Sequence, residues 1–304
     1  MAKRGSCMPS SPPKTLGIVR KPASESARVA LEKVLGWLAE RSEEFKLERV
    51  LVHESGLSKG ARLPIGEVCD DRGLAEIDLV LVLGGDGTLL WTVRMLEDYE
   101  VPILGVNVGN LGFLTEVPLE GFQEALTEAL KGEVKLEYRS MLACFLTREN
   151  ASQSLGIALN DVVIARGPSG RLITLSVLVE NTFINRYRAD GLILATSTGS
   201  TAYNLAAGGP ILAPGVEATI LTPICPHTLS NRTLVIPSDT TLTVRLEEGT
   251  EEQGEVCVIV DGRKAASFTG KDELVVRKSR HRMCLVKNQT LDYFRIVRTK
   301  LKWG

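Results

Sequence analysis

The sequence lacks several common signatures, and each absence narrows what it can do. Its six cysteines (Cys7, Cys69, Cys144, Cys225, Cys257 and Cys284) form no Cys-x-x-Cys or Cys-x-x-His arrangement. A zinc site is therefore not expected, and the scattered cysteines read as reduced thiols in a cytoplasm. No apolar run approaches the ~18 residues needed to span a bilayer. No charge of one sign dominates, since the net charge is -1 with 24% charged residues. A global basic field for nucleic acid is thus excluded, although a small phosphate-bearing molecule needs only a few local cations. Neither G-x-G-x-x-G nor G-x-x-x-x-G-K-[ST] occurs, which leaves an ordinary dinucleotide loop or P-loop without support. The three histidines, His53, His227 and His281, show no catalytic pairing and read as structural. Residues 1–14, MAKRGSCMPSSPPK, are polar and Ser/Pro-rich, lack the apolar middle of a signal peptide, and are expected to be a disordered tail.

A length of 304 residues and 44% apolar content favour two domains with real cores. From 15 to 135 strand and helix patterns alternate. Strands are expected at Thr15 to Val19, Arg49 to His53, Leu79 to Leu83 and Val101 to Val106, and helices at 26–40, Thr88 to Leu96 and 119–131. Such alternation predicts an α/β domain, a parallel sheet with crossover helices. From 136 to 288 the texture changes to short strands, at 136–146, 155–165, 172–179, 182–188, 191–195, 240–247, 255–260, 264–268 and 273–277. That half is expected to be a mainly β sandwich of antiparallel sheets. The closing LDYFRIVRTKLKWG returns to helical spacing and predicts a helix within 289–304, packed on the first domain or on a partner subunit.

Within the α/β half, residues 77–93 read IDLVLVLGGDGTLLWTV. A buried strand ends in glycines that flank a carboxylate. Ligands of open parallel sheets bind beyond the carboxyl ends of strands. Gly84, Gly85 and Gly87 would let backbone approach a ligand, and Thr88 would open a helix whose free N–H groups suit a phosphate. Asp86 would accept a proton from a substrate hydroxyl or hold a metal ion. The plainer alternative is a tight turn in which Asp86 caps the helix.

Three further segments bear on that choice. LGVNVGNLGFLTEV at 104–117 punctuates a second strand end with Gly105, Gly109 and Gly112, with Asn107 and Asn110 facing a possible ligand. LNDVVIA at 159–165 sets Asn160 and Asp161 at the start of an apolar strand. RADGLILATSTGSTAYN at 188–204 runs a buried strand into hydroxyl and glycine residues and then a tyrosine. Together with TPICPHTLSNRTLVIP at 222–237, VDGR at 260–263 and the closing KLKWG, these segments resemble the NAD kinase family (ATP or polyphosphate dependent) from about residue 15 to the end.

The resemblance implies phosphoryl transfer to the 2′-hydroxyl of the adenosine ribose of NAD, giving NADP. It also implies an α/β domain followed by a β-rich NAD-binding domain, with Mg²⁺ (or another divalent cation) arriving with ATP, no dedicated protein cage for it, and a homodimer or homotetramer in the cytoplasm. Asp86 would be the proton acceptor, and Gly84, Gly85 and Thr88 would bind phosphate. Gly87, Phe113, Asn160, Asp161, Arg171, Arg188, Asp190, Thr198, Thr201, Ala202, Tyr203, Asn204 and Arg263 would bind NAD. Plainer readings stand beside these: Asn160 capping a turn, Arg188 in a surface ion pair, Tyr203 packed in the core, and Arg20-Lys21 as an exposed turn rather than a contact to donor phosphate. The chain departs from the family pattern at Asp161, where Glu is usual, at Trp91, where many members carry a basic residue, and at Arg263, where several have Gln or His. GGDGT alone is shared with lipid kinases of the diacylglycerol or sphingosine type, which is the alternative activity. A binding module without catalysis is the other.

Overall fold

The structure, a computed structural model, describes residues 12–41, 43–57, 62–149, 151–168, 171–228, 230–247, 254–287 and 292–303. The expected tail at 1–14 falls largely outside these residues. Lys14 does not behave as a tail, because its backbone N–H donates to Asp78 Oδ2 at 2.9 Å and its ammonium pairs with Glu48. The chain divides into two compact units, Met1–Tyr138 with Met283–Gly304, and Arg139–Arg282.

The first unit is built on one sheet. Its strands are β1 (Thr15–Arg20), β2 (Arg49–His53), β3 (Glu67–Cys69), β4 (Leu79–Gly84), β5 (Pro102–Asn107), β6 (Val117–Pro118), β7 (Lys135–Arg139) and β20 (Met283–Lys287). They run in the order β3-β2-β1-β4-β5-β20-β7, with β6 beside β5. The pairs β1–β2, β2–β3, β1–β4, β4–β5, β5–β6 and β5–β20 are all parallel. Every residue of β4 is buried, as a central parallel strand covered on both faces requires. Helices α1 (Glu25–Arg41), α2 (Asp86–Met95) and α3 (Phe122–Lys131) supply the crossovers. In α1 the residues Ala27, Leu31, Val34, Leu35 and Leu38 form the buried stripe that the sequence spacing predicts. Two elements differ from expectation. The helix after β4 begins at Asp86, two residues before Thr88. The return to this unit begins with β20, because Met283–Lys287 is a strand of the parallel sheet and not part of the β-rich half. The last helix, α5 (Tyr293–Leu301), opens on Asp292, whose side chain accepts the Arg295 N–H.

The second unit holds β8 (Leu142–Arg148), β9 (Ala151–Ala158), β10 (Asp161–Arg166), β11 (Ile173–Val179), β12 (Thr182–Ala189), β13 (Gly191–Thr196) and β14 (Ala218–Ile224). It continues with β15 (Leu234–Pro237), β16 (Leu242–Leu246), β17 (Val256–Val260), β18 (Arg263–Ser267), β19 (Asp272–Lys278) and the short helix α4 (Tyr203–Ala206). Two six-stranded sheets result, ordered β15-β14-β13-β10-β17-β18 and β12-β11-β16-β19-β8-β9. Their inner faces share one core that includes Leu142, Val162, Leu175, Leu192, Val244, Val258 and Leu274, so the unit is a β-sandwich. Segments 136–146 and 155–165, read as single strands from sequence, each contain a break between two strands. The second break falls at Leu159 and Asn160.

Candidate active site

In the first unit β4 delivers the chain to its carboxyl end, where Gly85 stands just before α2 and Asp86 is its first residue. Asp86 does not cap that helix. Its carboxylate turns to the loop after β5 and accepts three consecutive backbone N–H groups. Oδ2 takes Phe113 at 2.8 Å, while Oδ1 takes Leu114 at 3.0 Å and Thr115 at 3.1 Å. The Thr115 hydroxyl adds a fourth bond to Oδ1 at 3.2 Å. Oδ1 is saturated, whereas Oδ2, with one donor among the described residues, keeps a lone pair for another. A Cβ on Gly112 would land on the Asp86 carboxyl and on Thr115 Oγ1, and one on Gly84 would strike the Thr88 side chain. Packing thus accounts for Gly84 and Gly112. It does not account for Gly85 and Gly87, where an added Cβ meets nothing within 4 Å. Open space over the start of a helix, where N–H groups are unpaired within the helix, suits a phosphate.

The neighbouring residues sort themselves by their contacts. Asn107, read from sequence as facing a ligand, is buried and faces inward. Its amide donates to Asn110 O at 2.7 Å and Thr115 Oγ1 at 3.0 Å, and accepts the Gly109 N–H at 2.8 Å. Phe113 is half-buried, with the Lys300 ammonium 5.6 Å from its ring centre. Trp91 and His53 meet in a T-shaped contact, ring centres 5.3 Å apart, and His53 Nε2 lies 2.7 Å from Asp71 Oδ1. Arg20 spends one guanidinium nitrogen on the carbonyls of Lys21 and Ser24.

In the second unit the break between β9 and β10 is held from two sides. Asp261, in the turn between β17 and β18, accepts three consecutive N–H groups: Leu159 at 2.8 Å on Oδ2, and Asn160 at 2.9 Å and Asp161 at 3.0 Å on Oδ1. Thr196 holds the other side, with its N–H on Asn160 O and its hydroxyl on Leu159 O. Gly199 packs so closely on Asn160 that a Cβ there would overlap the Asn160 carbonyl. All this grip is on backbone. Among the described residues, the Asn160 amide and the Asp161 carboxyl make no side-chain hydrogen bond. The turn is fixed and its two side chains are left available. Burial first, and then the negative charge of Asp261, push the Asp161 carboxyl up to about 7.

The remaining expected residues of this unit fall into three groups. Tyr203 is 47% exposed, so core packing is not its role. Thr201 and Ala202 are partly exposed beside it, and Thr198 is buried with Arg139 Nη1 3.4 Å from its hydroxyl. Asn204 has no exposed surface. Its amide donates to Ser200 O and Pro210 O and accepts the Thr222 hydroxyl, so it braces the segment and presents nothing to a ligand. Arg171, Arg188 and Arg263 are exposed cations without a hydrogen bond or ion pair from their side chains among the described residues. Asp190 is paired, its Oδ1 accepting Arg166 Nε at 2.6 Å. The sequence does not single out Arg166, Asp261 or Thr115, and Gly112 reads there only as a glycine at a strand end. Gly112, Thr115 and Asp261 stand in the segments LGVNVGNLGFLTEV and VDGR, but their work depends on what they meet across space. Among the described residues no group of three or more His, Cys, Asp or Glu side chains could hold a metal ion.

Comparison with known proteins places both halves of the chain in one family. The ATP-NAD kinase N-terminal domain matches residues 16–134, and the ATP-NAD kinase C-terminal domain matches residues 159–288. An NAD kinase of Syntrophotalea carbinolica is 40% identical over 293 residues, covering 96% of this chain and 99% of that protein. Among solved structures, a yeast NADH kinase complexed with NADH superposes with a TM-score of 0.87 at 29% identity, covering 97% of this chain and 89% of that one. An NAD kinase from Archaeoglobus fulgidus in complex with ATP gives 0.73 at 26% identity, covering 95% and 98%. The lipid-kinase alternative rested on GGDGT alone and is set aside by agreement across both halves. This chain belongs to the NAD kinase family, whose members phosphorylate NAD to NADP.

Proposed function

We propose that Asp86 is the proton acceptor of this reaction and that ATP is the phosphoryl donor. The ribose 2′-oxygen forms a bond to the γ-phosphorus, the bond from that phosphorus to the β–γ bridging oxygen breaks, and ADP leaves. The hydroxyl proton passes to Asp86 Oδ2. Phosphoryl transfer depends on alignment and charge neutralisation more than on covalent help from the protein. A base held by four hydrogen bonds in one orientation serves alignment, and proton acceptance contributes roughly 10² to 10⁴ in rate. The observation that carries this reading is the uneven use of the two oxygens, Oδ1 saturated and Oδ2 with room for one more donor.

Gly85 and Gly87 leave phosphate room above the start of α2, and Gly84 and Thr88 shape the turn beneath it. Asn160 reads adenine and ribose through its free amide, and Asp161 accepts ribose hydroxyls. Tyr203, exposed beside Thr201 and Ala202, gives the base a face to stack on. Thr198 lines the same pocket, and Phe113, in the first unit, is read as an apolar contact for NAD. Arg188 neutralises pyrophosphate, Arg171 and Arg263 also contact NAD, and Asp190 reads the nicotinamide amide or a ribose on the partner subunit's NAD. Among the described residues no His, Cys, Asp or Glu cluster fits a resident divalent cation, and Mg²⁺ is read as travelling with the triphosphate of ATP. The working protein is read as a cytoplasmic homodimer or homotetramer.

Asp86→Asn tests the central role. The amide keeps the size and most of the loop contacts but cannot take the proton. NAD binding by calorimetry should persist while NADP formation falls by roughly 10² or more. Turnover surviving within tenfold would remove Asp86 from the chemistry.

A further inference from the structure

The turn at Leu159–Asp161 carries two side chains read as NAD ligands, and neither holds itself in place. Three consecutive N–H groups point one way, at 2.8, 2.9 and 3.0 Å from a single carboxylate 100 or more residues along the chain. That carboxylate belongs to Asp261, which adopts φ +44°, and its own N–H returns to Asp161 O at 3.0 Å. Asp and Asn are the non-glycine residues that best tolerate this conformation. Resting on the reading that Asn160 and Asp161 hold NAD, we infer that Asp261 is a positioning residue for NAD. Its carboxylate fixes the Asn160-Asp161 turn and thereby aims the amide and carboxyl at the nucleotide.

The geometry explains why a carboxylate is needed. One amide oxygen could satisfy two of the N–H groups, but the third would face the amide nitrogen of an Asn, donor against donor. Three parallel N–H groups next to one another also form a concave positive site, which an anion fills and a neutral group does not. With Asp261 gone, the β9–β10 turn keeps Thr196 and the contact of Gly199 but loses the restraint on the face opposite them. The turn would shift by a fraction of an ångström to an ångström, enough to misdirect side chains that must meet a rigid ribose. Asp261 acts through the turn and touches no reacting atom. Its effect belongs in NAD affinity and not in the chemical step.

The experiment measures KM for NAD, KM for ATP, kcat and thermal stability in Asp261→Asn and Asp261→Ala, beside Asn160→Ala and Asp161→Asn as reference variants. The expected result is a rise of roughly 10- to 100-fold in KM for NAD in the Asp261 variants, with KM for ATP and kcat within about threefold. Asp261→Asn, which retains two of the three acceptor contacts, should lie between wild type and Asp261→Ala. A general loss of structure would move both KM values and kcat together, and that outcome overturns the proposal, as does failure of both variants to fold. If the reference variants weaken NAD binding and the Asp261 variants do not, the positioning role falls alone. If the reference variants leave NAD binding unchanged, the assignment of Asn160 and Asp161 falls instead.

Discussion

Asp86 in one unit and Asp261 in the other are bound in the same way and used differently. Each carboxylate accepts three successive backbone N–H groups, 113–115 for Asp86 and 159–161 for Asp261. In each, Oδ2 takes the first donor and Oδ1 takes the next two. The first clamp holds the carboxylate that is read as the reacting group, so the loop positions the acid. The second holds a loop whose side chains are read as the ligands, so the acid positions the loop. The lesson is that a clamp of this kind is symmetric as a structural device. What differs is the surroundings: the open space at Gly85 and Gly87 adjoins Asp86 in the chain, whereas at the second clamp the side chains of Asn160 and Asp161 keep unused hydrogen-bonding capacity among the described residues.

The strongest way to break the first clamp is Gly112→Ala. The new methyl would overlap the Asp86 carboxyl and Thr115 Oγ1, and a side chain as short as Asp has no room to step aside. We expect kcat to fall by roughly 10² to 10³ with KM for NAD nearly unchanged, a loss comparable to that from a misplaced reacting group. Steady-state kinetics on the folded variant checks it. A variant with normal kcat would mean that the clamped orientation is not the reactive one.

Asp161 sharpens the contrast, because it lies beside a clamped carboxylate without being clamped. Its folded-state pKa of about 7 stands above the ordinary value of 3.8. The folded protein therefore holds the proton over a range where the unfolded chain has released it. Stability contributed by this group is greatest below the ordinary value, declines as pH rises from 3.8 to about 7, and stays low beyond. Asp161→Asn should be more stable than the wild type at pH 8, by roughly 2 to 4 kcal/mol, with the difference vanishing near pH 4. Urea denaturation at the two pH values measures this, and an equal difference at both would dismiss the shifted carboxyl. The contact behind the second clamp gives a smaller effect. Gly199→Ala presses a methyl onto the Asn160 carbonyl, which is backbone and yields poorly. A loss of about 1 to 3 kcal/mol in stability is expected, with a raised KM for NAD.

How much of this was legible in the sequence follows from which interactions are local. The buried run of β4, its glycine-rich end and the carboxylate at Asp86 lie within one stretch of chain, and a periodicity argument reaches them. The partner of that carboxylate lies 27 to 29 residues away, and nothing in NVGNLGFLTE says that Asn107 turns in while three peptide N–H groups turn out. Asp190 read as a free ligand because Arg166 comes opposite it only through the antiparallel pairing of β10 with β13, Ala165 against Gly191. Asp261 meets the Asn160 turn through the pairing of β10 with β17, Val162 against Val260. Strand β20 escaped for a similar reason, since the apolar run Met283–Lys287 does not declare which sheet it joins. Registers of long-range sheets are set by the whole core, and that information is absent from any single window.

The finest test separates the two kinds of donor in the first clamp. Thr115 gives Asp86 both a peptide N–H and a hydroxyl, and the hydroxyl is itself held by the Asn107 amide at 3.0 Å. Thr115→Val keeps the shape and the peptide N–H but removes the hydroxyl; Thr115→Ser keeps the hydroxyl and removes a methyl. The bond at 3.2 Å is the longest of the four, and three N–H groups remain without it, so its loss should cost about 1 kcal/mol, the value of an ordinary hydrogen bond and less than is usual for a charged acceptor. That corresponds to a fall of roughly fivefold in kcat for Thr115→Val, with KM unchanged and near-complete recovery in Thr115→Ser. A loss in Thr115→Val as large as that in Gly112→Ala would mean that the hydroxyl, and not the row of peptides, aims Oδ2. The likeness between the two carboxylate clamps would then stop at their geometry.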